Sequence, residues 1–489
     1  MAVHFPCRST WPRIVTLIFL ITLSGNWDFG FQGTGQRPAS SPGLASLPLE
    51  VQVAISHLLG HTTDYPAHPL LADLWIEHGQ LTASDGEGLD VFGSAVAIDG
   101  DTIVVGAAGD DAERGSAYVF VKPAAGWADL TETAKLTASD GAALDWIGYS
   151  VAIDGDTIVV GAPGGPTGPT TVPGAAYIFV KPGTSWANMT QTAKLTASDA
   201  SIDDRFGISV AISGDTVVVG AGLDDIGTND FQGSAYVFVK PSTGWMNMTQ
   251  NAKLTASDGA AEDYFGWSVA LGGNTVAIGA FGDMVGMNDD QGSAYVFVRP
   301  GGGWADMTET AKLIASDGTA GDALGYSVAI DEDTVAVGAN NDAIVGNDNR
   351  GSVYMYVSPA GGWVNTVQTA KLSPSDGASH DWFGRSVALS GGTVTAGAYA
   401  QTVGANFAQG AAYGFVQPGG GWVDMTETVK LTASDGAAGD ELGWSVALDG
   451  DTLVAGAYTD SIGANSQQGS AYVFYNDTRL RFYFPLIGK

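Results

Sequence analysis

Beyond residue 80, apolar residues come in bursts of four to six that alternate with polar ones and are cut off by Gly, Asp or Pro. One stretch shows the bursts in order: "KLTAS" (253–257), "SVAL" (268–271), "TVAIGA" (275–280) and "SAYVFV" (293–298). Short runs of this kind, rich in Val, Ile, Ala and Tyr, predict strands rather than helices. The second and third bursts are separated by "DGD", "SGD", "GGN" or "SGG". Those spacers suit a tight hairpin, because Gly, Asn and Asp tolerate positive φ.

The whole set recurs. "LTASDG" or a near match begins at Leu81, Leu136, Leu195, Leu254, Leu313, Leu372 and Leu431, in one step of 55 and five of 59. The short step is a single loop: nine residues take Gly106 to Gly115, where thirteen take Gly161 to Gly174. A fixed period broken only in a loop means seven copies of one supersecondary unit. Seven antiparallel sheets of four strands predict an all-β, seven-bladed β-propeller over residues 80–475. The last copy ends after "SAYVF" at Phe474 with three strands. "LTAS" (81–84) is therefore expected to join it as the outer strand, pairing beside 470–475 and closing the ring.

Each copy carries "FG" followed by "SV", then "VVGA", then "AYVF" or close variants. The first element stands at Phe92-Gly93, Ile147-Gly148, Phe206-Gly207, Phe265-Gly266, Leu324-Gly325, Phe383-Gly384 and Leu442-Gly443. The second stands at Gly106-Ala107, Gly161-Ala162, Gly220-Ala221, Gly279-Ala280, Gly338-Ala339, Gly397-Ala398 and Gly456-Ala457. The pattern resembles the FG-GAP repeat that builds the seven-bladed head of integrin α chains and many bacterial exported proteins. The resemblance implies an extracellular binding or adhesion module whose blades often carry calcium in the loop between the "FG" and "GA" strands. In this chain that loop is only Asp99-Gly100-Asp101, Ser213-Gly214-Asp215 or Gly272-Gly273-Asn274. Two carboxylates do not fill the roughly six to eight oxygen positions calcium takes. No metal is expected at that loop and no cofactor is assigned.

The flanks read differently. Arg8 and Arg13 precede the apolar run "IVTLIFLITL", the pattern of a secretory signal peptide over residues 1–30. That run is shorter than the ~20 residues that cross a bilayer. Residues 31–79 read as a linker with one short helix over about 48–59, and 476–489 as a tail. The lone Cys7 lies within the expected leader, so burial between repeats, not disulfides, must stabilise the mature chain. Net charge is -32, with 52 acidic against 20 basic residues. Such a field repels nucleic acid and anionic lipid. The reading is a secreted or cell-surface protein, monomeric, with a protein or glycan partner and no membrane insertion after signal removal.

Two acidic patterns are candidates for chemistry. Aspartates five apart recur in every copy, such as Asp258 and Asp263 or Asp317 and Asp322. They serve either as turn caps or as a ring of cation ligands, which makes these four the metal candidates. The loops between the third and fourth quoted strands vary from copy to copy, and variable loops on a repeated scaffold are where specificity resides. Their clustered Asp224, Asp225, Asp230, Asp283, Asp289, Asp290, Asp342 and Asp348 are the expected site for a cationic or cation-bridged partner. The "KP" lysines and the "KL" lysines (135, 194, 253, 312, 371 and 430) are expected on the opposite face. Trp127, Trp186, Trp245, Trp304, Trp363 and Trp422 are expected to pack between blades. The repeats hold one histidine, His380, no cysteine and no nucleophile motif. A non-catalytic module is thus expected; the alternatives are a polysaccharide-acting enzyme at the central depression or a structural surface-layer component.

Overall fold

The computed structural model describes residues 75–164, 173–344 and 348–476. The expected leader, the helix over 48–59 and the tail beyond residue 476 lie outside them. Among the described residues seven sheets are present; in six the strands run from inner to outer in chain order, and in the seventh the outer strands come from the start of the propeller. In the fourth blade they are Ser268–Gly272, Thr275–Ala280, Ser293–Val298 and Ala311–Ile314, antiparallel throughout.

The middle strands of each blade are almost wholly buried because both sheet faces meet a neighbouring blade. Val276, Ile278, Tyr295 and Phe297 pack against Val218, Val237 and Leu254 of the third blade, with Phe265 edge-on to both aromatic rings at 5.4 and 5.9 Å. The six repeated tryptophans are buried in these interfaces, as their regular spacing predicts.

The motif glycines are where blades meet backbone to backbone. A Cβ on Gly279 would stand 1.9 Å from the Gly325 carbonyl oxygen of the next blade, and Gly266 adopts φ +90°. Only glycine allows this approach. It lets the Ser268 hydroxyl donate to that same carbonyl at 2.8 Å.

Closure occurs through the N-terminal strand. Trp75–Thr82 pairs antiparallel with Ser470–Asn476, from Trp75 opposite Asn476 to Leu81 opposite Ala471. The strand starts at Trp75 and stops at Thr82, earlier at both ends than the 81–84 expected from the repeat wording. "WIEHGQLT" keeps the chemistry of the repeat without its spelling: Ser434 donates its N–H and hydroxyl to Glu77 at 2.7 and 2.8 Å, as Ser257 does to Glu309 at 2.9 and 2.7 Å. First and seventh blades share one apolar interface containing Phe92, Val105, Val454 and Val473.

Short parallel pairings reinforce the ring. Leu130–Thr131 lies along Leu81–Thr82, and Met248–Thr249 along Leu195–Thr196. Asn188 and Asn247 belong to these junctions, where their Oδ1 atoms accept the Lys135 and Lys194 backbone N–H groups at 2.8 Å.

Candidate functional site

The candidate aspartates separate by burial. Asp224, Asp283 and Asp342 are each 4% exposed, although all three lie in loops that read as a solvated rim. Each belongs to a quartet repeated from blade to blade. In the fourth blade the Lys312 ammonium stands 2.6 Å from Asp283 and 2.7 Å from Asp258, and 5.1 Å from the Tyr295 ring centre. The Tyr295 hydroxyl donates to Asp258 at 3.0 Å. Lys253 with Asp199, Asp224 and Tyr236 repeats the arrangement, as does Lys371 with Asp317, Asp342 and Tyr354.

These contacts correct the expected placement of the "KL" lysines. Tyr295 lies opposite Lys312 across the outer strand pair, and the lysine stem runs along the ring to the loop aspartates. A flexible four-carbon stem separates where a charge starts in sequence from where it acts. The "KP" lysines do stay on the hairpin face, where Lys122 and Lys240 each lie 3.6 Å from Asp101 and Asp215.

Electrostatics agree with this division. Burial opposes ionisation of Asp258, yet the Lys312 hydrogen bond and charge outweigh it and hold the carboxyl below its ordinary value; Asp317 behaves alike beside Lys371. Asp263 and Asp322, the second members of their pairs, cap turns instead, accepting the Ala260 and Thr319 N–H groups at 2.6 Å. Burial dominates there, pushing Asp263 up to about 6 and Asp322 upward. All four metal candidates thus have protein partners. No group of three or more His, Cys, Asp or Glu suited to a metal occurs among the described residues. The hairpin aspartates do not fit calcium either. Asp99 accepts the Gly155 N–H of the next blade at 2.6 Å, and Asp331 the Gly391 N–H at 2.8 Å.

Asp225, Asp230, Asp289, Asp290 and Asp348 are exposed and form the true acidic rim. Their backbones already serve the ring: the carbonyls of Asp230 and Asp348 accept the Glu262 and His380 N–H groups at 2.9 Å.

A second constellation occupies the same face, nearer the axis, at positions the loop pattern does not single out. The residue before "FG" adopts left-handed φ in all seven repeats: Val91, Trp146, Arg205, Tyr264, Ala323, Trp382 and Glu441, between 50° and 59°. A non-glycine residue held there costs on the order of 1 kcal/mol, and bulky side chains are uncommon in it. Five of the seven are nevertheless aromatic or charged. The residue after "FG" is Tyr149, Trp267, Tyr326, Arg385 or Trp444 in five blades, and the residue after "GA" is Phe281, Tyr399 or Tyr458 in three.

These side chains meet across blades and stay partly open to solvent. Trp267 lies 5.0 Å from Phe281 and 5.9 Å from Tyr326, Tyr264 stacks on Phe281 at 4.7 Å, and Trp444 lies 5.0 Å from Tyr399 and 4.0 Å from Tyr458. The Arg385 guanidinium is held between rings of the two flanking blades, 3.9 Å from the Trp444 centroid and 4.9 Å from Tyr326. Tyr149 of the second blade also faces this cluster. Burial raises its phenol, with Arg385 and Arg205 pulling it back. Glu441 Oε2 is buried without a hydrogen-bond partner. Burial raises that carboxyl, against the neighbouring Tyr458 hydroxyl and Arg385.

Seven matches to the FG-GAP repeat fall on residues 75–120, 130–179, 189–238, 248–297, 307–356, 366–415 and 425–474, well over half of the chain. The chain belongs to the FG-GAP repeat family. No curated protein matches it by sequence. Among solved structures it is similar to the WD40 β-propeller domain of Doa1, at 11% identity and a TM-score of 0.47, over 82% of this chain and 97% of that one.

Within this FG-GAP propeller the lysine quartets recur with little change, whereas the central positions differ in every blade. The signal was available in the sequence, but only by reading one column across all seven repeats: Val, Trp, Arg, Tyr, Ala, Trp, Glu before "FG", and Ser, Tyr, Ile, Trp, Tyr, Arg, Trp after it. Chemically the centre offers flat aromatic faces, the Arg205 and Arg385 guanidinium groups and the Glu441 carboxyl. Such a surface suits recognition of a ligand with apolar faces and few polar groups.

Proposed function

We propose that this FG-GAP propeller is a non-catalytic binding module of the secreted or cell-surface kind, whose partner docks on the loop face with the central aromatic cluster as its anchor. One observation carries the reading: large aromatic and charged side chains occupy left-handed backbone positions in five of seven repeats. Strain of this kind persists where a side chain is needed for more than folding. Exposed apolar loop tips on the same face, Met287 at 96% and Phe407 at 74%, widen the surface. They fit a protein or glycan partner better than a small diffusible one. The basic-then-apolar leader pattern supports export, and no described helix is long and apolar enough to cross a membrane.

A catalytic reading has Glu441 in its favour, a carboxyl raised by burial near the axis. Glycoside cleavage needs two facing carboxyl groups, and each aspartate of the quartets is already engaged by lysine. The deciding experiment is a binding screen of the secreted chain against surface glycans and proteins, with and without calcium, repeated with Trp267→Ala/Trp444→Ala. Hits lost in the double variant support the reading. Hits that survive it, or turnover of a polysaccharide abolished by Glu441→Gln, overturn it.

A further inference from the structure

Resting on the proposal that the central cluster is a binding surface, we infer that its ligand is a glycan presenting a single uronic-acid unit, with the carboxylate received by Arg385 and the pyranose faces stacked on the surrounding rings.

Arg385 stands at the middle of the cluster, between the fifth and seventh blades. Its guanidinium carbon lies over two rings, 3.9 Å from the Trp444 centroid and 4.9 Å from that of Tyr326. Among the described residues it forms no ion pair, although its charge reaches Glu441 and Tyr149. Elsewhere near the loop face the quartet lysines are neutralised, most often by two aspartates each, while Arg205 and Arg350, which likewise form no ion pair among the described residues, donate to the Gly164 and Pro374 carbonyls. A guanidinium packed over aromatic rings keeps its N–H groups for hydrogen bonding. Those groups form the bidentate fork that matches a carboxylate. The stacking also fixes the fork in advance, so little side-chain entropy is lost on binding.

The remaining wall selects the body of the ligand. Trp267, Trp444 and Tyr326 present partly open rings from three different blades, and a ring of C–H groups buries well on such faces. The rim then limits the charge. Exposed Asp225, Asp289 and Asp348 and the overall charge of -32 repel every further anion on the ligand. One carboxylate on an otherwise neutral glycan satisfies both the centre and the rim; an acidic peptide or a polyuronate satisfies only the centre.

The test titrates the full secreted chain with an aldobiouronic acid, one uronate on one neutral sugar, and with its carboxyl-reduced counterpart. Tryptophan fluorescence and calorimetry are the readouts. The acid is expected to bind about tenfold or more tightly than the reduced form. Arg385→Gln is expected to abolish that preference, and Arg385→Lys to restore only part of it, since it keeps the charge and loses the fork. Trp444→Ala should weaken both ligands, and Lys122→Gln on the hairpin face neither. Thermal melts of each variant separate lost binding from lost folding. Equal affinity for acid and reduced forms, an undiminished preference in Arg385→Gln, or equal binding of a hexaglutamate peptide overturns the inference. If neither sugar binds while a screened partner still requires Trp267 and Trp444, the uronate assignment falls and the binding face stands.

Discussion

The loop face carries two rings built by the same repeat, and they obey opposite rules. In the outer ring the quartet of Lys312, Asp258, Asp283 and Tyr295 recurs with the same partners and with distances that differ by a few tenths of an ångström. In the inner ring no two blades present the same pair of residues around "FG". Constancy marks what every blade needs in order to hold its neighbour, and variation marks positions released from that task. A charged cluster is therefore not a functional signal in this molecule merely because it is charged: of the eight loop aspartates, Asp224, Asp283 and Asp342 are buried against quartet lysines, while the other five line the exposed rim.

Breaking the outer ring should cost stability and spare the centre. Lys312→Met leaves buried Asp283 and half-buried Asp258 without a counter-charge. A loss of about 3 kcal/mol is expected from urea unfolding, the size found when one partner of a buried pair is removed. Lys430→Met should cost roughly half of that or less. Its single carboxylate is Asp376, because Gln401 stands where five other blades bury an aspartate and accepts the Tyr413 hydroxyl at 3.0 Å.

The same ring sets the acid limit. Asp199, Asp258 and Asp317, each bonded to a quartet lysine, have folded values below their unfolded 3.8. Their stabilisation is complete above that value and disappears as pH falls through the lower folded values. Asp263 has the reverse sign. Raised to about 6, it favours the folded state below 3.8 and loses that advantage as pH climbs from about 4 to 6. Asp263→Asn, which can still accept the Ala260 N–H, should gain on the wild type across that interval in thermal melts.

Smaller effects sharpen the contrast. In the seventh blade Gln80 replaces the lysine, donating to Asp460 at 3.2 Å and to Tyr472 at 2.8 Å, and burial raises the Asp460 carboxyl. Gln80→Lys is expected to complete the quartet with Asp460 and Asp435 and to stabilise the ring by on the order of 1 kcal/mol in the same unfolding assay. Trp267→Ala, in the centre, should change stability by about 1 kcal/mol or less, since the ring lies outside the interblade cores, while removing binding in the screen.

Blade number, strand order and closure were legible because period and hairpin chemistry pointed the same way in all seven copies. The early start at Trp75 was not, since "WIEHGQLT" shares function with the repeat at Glu77 and Gln80 and hardly any spelling. The burial of Asp283 was hidden for another reason: its partner Lys312 lies on a strand 29 residues away, and local polarity gives no hint of a distant cation. The central cluster was visible only as a column, since within any one repeat Trp267 or Arg385 looks like an ordinary strand-opening residue. Repetition, which made the architecture plain, also drew attention to the residues that repeat and away from those that do not.

The clasp between Trp75–Thr82 and Ser470–Asn476 has a mechanical meaning as well. Its paired ends, Trp75 and Asn476, sit at the same edge of an antiparallel ladder, so tension applied through those two residues loads the hydrogen bonds one after another, as a zipper, rather than all at once in shear. Under load the seventh blade gives way first and the other six keep their strands, a built-in weak link that a partner bound across the first and seventh blades would bridge.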